Sequence, residues 1–181
     1  REIVGLALEA GSDGFLLGGS TGVDNAMVEA YSRAIRETID ERTHGVARPP
    51  LILFPSSAAT GVATGADGVL FLSLLNSRDV RYLIREQAMA APFLPALGLE
   101  PVGCGMIMIE PGGTAGRIGQ ADLLAADDWQ PAVGYATAAA AFGFQLIYLN
   151  AGSGSTRPVG VKTIAAVSQV VDVPVIVGGG L

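Results

Sequence analysis

Glycine-rich turns that directly follow short apolar runs recur along this chain and constrain its fold more than any other feature. The clearest case is the apolar run 146–149, which is followed by Asn150 and then by the small residues 151–154. Glycine reaches φ > 0 and leaves backbone N–H groups open, so such a turn at a strand end can bind an anion, usually phosphate. One such turn would equally suit an ordinary strand-to-helix connection. The same pattern recurs at residues 18–22, 110–114 and 178–180, which favours a binding edge.

Composition limits the classes of protein to which the chain can belong. Its 181 residues are 50% hydrophobic and 15% charged, enough for one buried domain and too apolar for disorder. The net charge of −6 without a basic block predicts no nucleic-acid partner. Cys104 is the single cysteine, which excludes a disulfide framework. With no signal peptide and no run of about 20 apolar residues, we expect a soluble, cytoplasmic protein.

Apolar runs and helical periodicity predict strands that alternate with helices. The predicted strands are 14–17, 51–54, 69–75, 106–109, 146–149 and 175–177. The first predicted helix ends at residue 10. The other predicted helices span 24–42, 79–90, 131–142 and 161–171. Asp24 is the expected N-cap of the second helix. The third helix is expected to bury Val80, Leu83, Ile84 and Ala88. Residues 92–101 contain three prolines and are expected to be a connection.

Apolar strands that alternate with helices are typical of a parallel sheet covered by helices, an α/β fold. Two architectures fit. A doubly wound sheet collects its binding turns at one switch point, whereas in a (β/α)8 TIM barrel every strand's carboxyl end borders one site. Because binding turns follow nearly every strand here, the sequence favours the barrel. A complete barrel needs about 250 residues, so we expect a single TIM-barrel domain over 1–181, truncated at both ends, with six of eight strands.

Six motifs occur together in order, and in combination they are specific. They are Gly-Gly-Ser-Thr-Gly (18–22), Leu-Phe-Pro-Ser (53–56), Phe-Leu-Ser-Leu-Leu-Asn-Ser (71–77), Glu-Pro-Gly-Gly-Thr (110–114), Tyr-Leu-Asn-Ala-Gly-Ser-Gly (148–154) and Val-Gly-Gly-Gly (177–180). Over essentially its whole length the chain resembles the geranylgeranylglyceryl phosphate synthase family, which includes bacterial heptaprenylglyceryl phosphate synthases. The resemblance implies a TIM-barrel prenyltransferase that joins a polyprenyl diphosphate to the primary hydroxyl of sn-glycerol 1-phosphate and releases diphosphate.

The resemblance also implies a magnesium ion, with Ser20 as one ligand. A second ligand, an aspartate, would precede Arg1 and is expected outside this chain. Mg²⁺ prefers hard oxygen ligands and can neutralise the charge of a departing diphosphate.

The acceptor site is implied at two turns, whose N–H groups suit a phosphate. Its residues are Tyr148, Leu149, Asn150, Ala151, Gly152, Ser153, Gly154, Gly178 and Gly179. The residues expected to take part in catalysis are Tyr148, Asn150 and Glu110. Glu110 could supply a carboxylate or could merely shape the turn that follows it, and the sequence leaves both roles open.

Asn150 departs from the family pattern, which the resemblance indicates is Glu. A neutral amide cannot act as a base, although it can hydrogen-bond hydroxyl groups. It would also suit an acceptor with a carboxylate, such as 3-phosphoglycerate, because two like charges about 4 Å apart repel by about 4 kcal/mol at an effective dielectric of about 20. The unaltered glycine motifs favour glycerol 1-phosphate.

Two other functions remain open. A phosphate-binding barrel such as a sugar-phosphate isomerase or lyase would share the later glycine turns but would leave the turn at 18–22 unexplained. A non-catalytic phosphate binder would explain Asn150. The resemblance further implies a homo-oligomer, dimeric or hexameric, and peripheral membrane contact through the lipid product.

Overall fold

The computed structural model describes residues 1–19, 22–43, 48–57 and 60–180. The strands are β1 (Phe15–Gly18), β2 (Leu51–Phe54), β3 (Gly68–Leu74), β4 (Glu100–Met108), β5 (Leu146–Asn150) and β6 (Val175–Gly178). The α-helices are α1 (Glu2–Glu9), α2 (Asn25–Arg42), α3 (Glu86–Ala90), α4 (Leu94–Leu97), α5 (Gly113–Ile118), α6 (Gln130–Ala141) and α7 (Val161–Ser168). A π-helical turn (Arg81–Arg85) precedes α3, and a 3₁₀ turn (Ala91–Phe93) follows it.

The strands follow one another across a six-stranded sheet in chain order, from β1 to β6. Strand β1 pairs in parallel with β2, and β2 pairs with β3. Strand β5 pairs in parallel with β4 on one side and with β6 on the other. Because parallel neighbours need a crossover, helices lie in the sequence between successive strands, except between β2 and β3, where the described residues form no helix. The predicted α/β fold with a parallel sheet is confirmed.

Residue contacts divide the chain into two compact units. The first unit comprises Arg1–Leu70 and Met89–Pro101, and the second comprises Phe71–Ala88 and Val102–Leu181. The single domain over 1–181 remains a prediction. Across the part of the chain that the structure describes, no helix is both long and apolar enough to span a membrane.

The core of the second unit is built from apolar strands and one face of α6. Ile147 and Leu149 of β5 are fully buried, as expected for a strand covered on both faces. Ala132, Ala136 and Ala139 of α6 are also buried, and their helical spacing puts these small side chains on one face. Burial removes Cys104 from solvent as well and raises the pKa of its thiol to about 12. Cys104 is therefore a packing residue and not a nucleophile.

The predicted connection at 92–101 was wrong at its end, because β4 begins at Glu100, well before the predicted start at residue 106. The Glu100 N–H donates at 3.1 Å to the carbonyl oxygen of Asp67, the residue directly before β3, and this hydrogen bond marks the start of β4. Proline removes a ladder hydrogen bond and is tolerated near the start of a strand. Pro101 is the second residue of β4 and is exposed there.

The prediction for the third helix was also wrong at Val80 and Ile84, whose exposed fractions are 48% and 55%, and at Ala88, which is exposed; Leu83 is half-buried. A π-helical turn follows Val80 and contains Ile84, and the Glu86 N–H closes it by donating to the Arg81 carbonyl oxygen. A π turn contains one residue more than an α turn and so displaces the apolar stripe. Gln87 is the buried residue of α3 instead.

Asp67 holds together three parts of the first unit. Its carboxylate accepts the Leu51 N–H at 2.7 Å and the guanidinium Nη2 atoms of Arg36 at 2.5 Å and Arg48 at 3.2 Å. Burial alone would raise the pKa of Asp67, but the Leu51 hydrogen bond, the Arg36 hydrogen bond and the two positive charges outweigh it, and the pKa is lowered. Asp67 thereby links the start of β2 to α2.

We expect Asp67→Asn to lower the free energy of unfolding by about 1–2 kcal/mol at pH 7, because the charge-assisted bonds are lost and Arg36 stays largely buried. A lowered carboxyl pKa stabilises the fold above the unfolded-state value of about 3.9 and loses that stabilisation as pH falls toward the folded-state value. In denaturant unfolding between pH 3 and 7, the free energy of unfolding should therefore fall less steeply with decreasing pH in the variant than in the wild type.

Asp40→Asn is the matched control. Asp40 also contacts Arg48, at 3.5 Å, but both side chains are about half exposed. This control should change stability by less than about 0.5 kcal/mol. Equal losses in the two variants would show that Asp67 has no special role.

Candidate functional site

The carboxyl ends of β4, β5 and β6 lie side by side in the second unit. Asn150, the last residue of β5, pairs in register with Met108 of β4 and Gly178 of β6. The turns that follow these strands therefore start at the same edge of the sheet. They are residues 110–113, 151–154 and 179–180, three of the stretches that the sequence singled out.

These three turns pack directly on one another through their backbones. A Cβ atom at Gly152 would lie 2.1 Å from the Gly112 carbonyl oxygen, and one at Gly179 would lie 2.6 Å from the Gly152 oxygen. A Cβ at Gly113 would lie 2.6 Å from the Ser153 oxygen. All three glycines also have positive φ. Glycine is thus required for contact between the turns, whereas the sequence had suggested space for a ligand.

This stack of turns leaves several backbone donors unused. No hydrogen bond between described residues uses the N–H of Ser153, Gly154, Gly179 or Gly180. Gly154 and Gly179 have φ of 73° and 84°, left-handed conformations of the kind that occur in anion-binding nests. Such a nest suits an oxyanion, and phosphate above all. The role of these turns in binding an acceptor phosphate remains a prediction.

Tyr148 lies beside the Gly178 turn. A Cβ at Gly178 would be 2.3 Å from the Tyr148 hydroxyl oxygen, so only glycine leaves room for this ring. Tyr148 is 9% exposed, and burial raises the pKa of its phenol. The hydroxyl therefore stays protonated at neutral pH and can donate a hydrogen bond.

Asn150 is buried, with 5% of its surface exposed. Its Oδ1 atom accepts the Gly152 N–H at 2.7 Å, and its Nδ2 atom donates to the Met106 sulfur at 3.5 Å. The first bond fixes the start of the 151–154 turn. Leu149 and Ala151, which the sequence included in the acceptor site, are completely buried and serve as packing on either side of Asn150.

Glu110 lies in a different environment from Asn150. Its exposed carboxylate accepts the Ala126 N–H only at 3.4 Å, and a cis peptide bond joins it to Pro111. It borders an open depression of about 420 Å³. The depression is lined by Glu110, Ala126, Asp127, Arg157, Pro158 and Gly160. Because this lining includes neither Tyr148 nor Asn150, a catalytic role for Glu110 remains a prediction.

Asn76 is a residue whose role the sequence reasoning missed. It is 2% exposed and directly follows the apolar run of β3, as Asn150 follows that of β5. Its amide nitrogen donates to the carbonyl oxygens of Met108 and Asp122, both at 2.8 Å, and its Oδ1 accepts the Met108 N–H at 2.9 Å. Asn76 thus holds the end of β4 in place. The shared position after a buried run was the available signal.

Ser20, the predicted magnesium ligand, lies outside the described residues. Among the residues that are described, no group of three or more His, Cys, Asp or Glu side chains could hold a metal ion. Magnesium therefore remains a prediction.

A parallel α/β sheet whose carboxyl edge carries stacked glycine turns with open N–H groups defines a class of phosphate-ligand binding proteins, mostly enzymes. Within that class, this chain belongs to the PcrB family, whose model matches residues 1–181. The family resemblance inferred from the six motifs is confirmed.

Named relatives and solved structures support this assignment. The chain is 41% identical to the geranylgeranylglyceryl phosphate synthase of Methanococcoides burtonii, covering 99% of this chain and 70% of the relative. The synthase of Methanothrix thermoacetophila is 42% identical over 97% of this chain and 66% of its own length. The crystal structure of (S)-3-O-geranylgeranylglyceryl phosphate synthase from Thermoplasma acidophilum with its substrate sn-glycerol 1-phosphate has a TM-score of 0.90 at 38% identity, covering 99% of this chain and 69% of that one.

We expect Gly152→Ala to destabilise the fold by about 3 kcal/mol or more, because its Cβ would overlap the Gly112 carbonyl and its φ is positive. Gly154→Ala, which has positive φ but open space around the new Cβ, should cost only about 1–2 kcal/mol. Gly134→Ala in α6, which also meets open space, should stabilise by up to about 1 kcal/mol. Denaturant unfolding checks the series, and equal effects at 152 and 154 would contradict the stacking of the turns.

Proposed function

We propose that this chain is the catalytic part of a geranylgeranylglyceryl phosphate synthase and that its parallel sheet forms part of a (β/α)8 barrel. The reaction transfers the prenyl group of a polyprenyl diphosphate to the primary hydroxyl of sn-glycerol 1-phosphate. A carbon–oxygen bond forms to the acceptor, the carbon–oxygen bond to diphosphate breaks, and the hydroxyl proton is released to solvent water. Since the chain spans about two thirds of its relatives' length, the activity of the whole protein is part of the proposal.

The observation that carries the proposal is the stack of glycine turns beside Tyr148 and Asn150. It presents unused N–H donors for an acceptor phosphate next to a protonated phenol and a neutral amide. The relative from Thermoplasma acidophilum, which shares this fold, was solved with sn-glycerol 1-phosphate bound.

The residues on this edge divide the work of holding the acceptor. Fixed N–H groups at Ser153, Gly154 and Gly179 bind the phosphate dianion without any reorganisation. The Tyr148 phenol donates a hydrogen bond and orients the bound ligand. The Asn150 amide cannot take the proton of the acceptor hydroxyl. In this chain, therefore, the residue at the end of β5 positions the acceptor and does not act as a general base.

We test the proposal by prenyl transfer with geranylgeranyl diphosphate and sn-glycerol 1-phosphate, using the protein that contains this chain. We expect an ether product and released diphosphate, with a kcat/KM for glycerol 1-phosphate at least tenfold above that for 3-phosphoglycerate. A preference for 3-phosphoglycerate would favour the carboxylate acceptor. Phosphate-ligand binding without transfer would identify a non-catalytic binder, and turnover of a sugar phosphate alone would identify an isomerase or lyase.

Magnesium is proposed as the ion that neutralises the leaving diphosphate, with Ser20 as one ligand. We expect Ser20→Ala to raise the Mg²⁺ concentration needed for half-maximal rate about tenfold, with unfolding unchanged. Ser12→Ala, which removes a hydroxyl outside the motif, is the control. If the Mg²⁺ dependence of Ser20→Ala matches that of the control, Ser20 is only a turn residue.

The family resemblance also supports a cytoplasmic homo-oligomer, dimeric or hexameric, that contacts the membrane peripherally through its lipid product. A nucleic-acid partner is not part of the proposal. Light scattering on the purified protein measures the oligomer size.

A further inference from the structure

Two segments of the second unit expose apolar and cationic side chains together. In the helical segment 80–88, Val80, Ile84 and Ala88 are exposed, and their spacing of four residues puts them on one face. Ile118, the last residue of α5, is 42% exposed. Exposed arginines lie beside these residues in both segments. The arginine–apolar surface, as we call it, comprises Val80, Ile84, Ile118, Arg78, Arg85 and Arg117.

Hydrogen bonds join the two segments directly. The Arg78 N–H donates to the Gln120 carbonyl oxygen at 3.0 Å, and the Gln120 side chain donates from Nε2 to the Asp79 carboxylate at 3.1 Å. Val80 follows one side of this contact, and Ile118 precedes the other by two residues. The two segments therefore hold their exposed side chains in one fixed surface.

The arginines of this surface are free to bind a partner. The guanidinium groups of Arg78, Arg85 and Arg117 are exposed, and they make no hydrogen bond or ion pair with any residue that the structure describes. The whole chain, by contrast, has a net charge of −6. A local group of unpaired cations on an acidic chain favours an anionic partner.

The carboxylates nearby are mostly engaged within the protein. Asp79 accepts the Arg81 N–H at 2.8 Å in addition to the Gln120 amide. Glu86 pairs with the Arg81 guanidinium at 2.6 Å. Asp122 is an exposed carboxylate beside the surface. Three free arginines therefore outnumber it, and the surface is locally cationic.

Apolar side chains among free arginines fit one kind of partner. Interfacial segments of peripheral proteins place apolar groups at the boundary between lipid headgroups and acyl chains, while their cations stay with the lipid phosphates. Each cation near an anionic membrane surface strengthens the attachment. A free phosphate or a nucleic acid would engage the arginines but leave Val80 and Ile84 in water. A bilayer that contains anionic lipids would cover both.

The arginine–apolar surface is also connected to the edge of the sheet that carries the candidate site. Helix α5 begins at Gly113, in the turn that lies against Ser153, and ends at Ile118. The segment with Arg78 follows Asn76, whose amide holds the end of β4. Both segments thus start from the carboxyl edge of the sheet.

We propose that the arginine–apolar surface docks directly on a bilayer that contains anionic lipids, with Val80, Ile84 and Ile118 at the acyl boundary and the three arginines on lipid phosphates. This contact is made by the side chains of the protein itself and needs no lipid product. The value of such docking for a prenyl substrate, which a membrane would supply to this edge of the sheet, rests on the proposed function.

The test is co-sedimentation of the full protein, without substrates, with vesicles of phosphatidylcholine alone or of equal parts phosphatidylcholine and phosphatidylglycerol. We expect binding to the anionic vesicles at least about tenfold stronger than to the neutral ones, and weaker binding as salt is added. Arg78→Ala combined with Arg117→Ala should reduce the binding to anionic vesicles about tenfold or more. Val80→Ser combined with Ile84→Ser should reduce it about fivefold or more.

Each double variant has a matched control elsewhere on the chain. Arg33→Ala with Lys162→Ala removes two exposed cations, and Phe142→Ser with Val161→Ser removes two apolar side chains that are each 80% exposed. Both controls should bind anionic vesicles within about twofold of the wild type. Equal losses in a control and its test variant would overturn the proposal, as would a wild type that ignores anionic vesicles.

A second copy of this chain is the other partner that such a surface could bind. Light scattering distinguishes the two cases, and we expect both surface variants to have the same mass as the wild type. A smaller mass in either variant would show that the surface joins copies of the chain and would overturn membrane docking.

Failure of the proposed function gives a different result. A wild-type protein that binds anionic vesicles through this surface but transfers no prenyl group would refute the function and leave the docking surface intact. A wild-type protein that transfers the prenyl group in detergent solution but does not bind anionic vesicles would do the reverse.

Discussion

The contact between backbones of successive turns is the constraint on which the candidate site depends. Gly152 lies against the turn at 112–113 on one side and Gly179 on the other, at distances that leave no room for a Cβ atom. Such contact fixes the relative positions of the N–H groups before any ligand arrives. Preorganised donors of this kind bind an oxyanion without a cost of reorganisation at the moment of binding. The rigidity of the binding edge thus follows from residues that have no side chains.

Buried amides complete this edge where glycine alone would leave it loose. Asn76, two residues beyond β3, holds the end of β4 through two hydrogen bonds to the Met108 backbone, and Asn150 ties the end of β5 to its own turn. Neutral amides suit this task, because a buried carboxylate would need a positive partner. In the second unit, the strand ends are therefore held by hydrogen bonds of neutral side-chain amides. The first unit uses an ionic centre at Asp67, with Arg36 and Arg48 as its partners.

Neutral residues at this edge also bear on the chemistry. A protonated Tyr148 and an amide at Asn150 can donate hydrogen bonds, but neither takes a proton at neutral pH. In prenyl transfer the charge develops on the departing diphosphate, so stabilisation of that anion is the larger requirement. A site that only positions its acceptor is compatible with such a reaction.

The sequence by itself determined the parallel α/β fold, the strand that leads into each glycine turn, and the family. These follow from local patterns: apolar runs of strand length, helical spacing, and glycines whose freedom at positive φ is visible in the letters. The tertiary structure decided the rest. The early start of β4, the exposed environment of Glu110 and the hydrogen bonds of Asn76 depend on partners distant in the chain. The tertiary structure also decided why residue 152 must be glycine. The sequence shows that this residue lacks a Cβ atom, but only its neighbours in space show that the Gly112 carbonyl oxygen occupies the place of that atom.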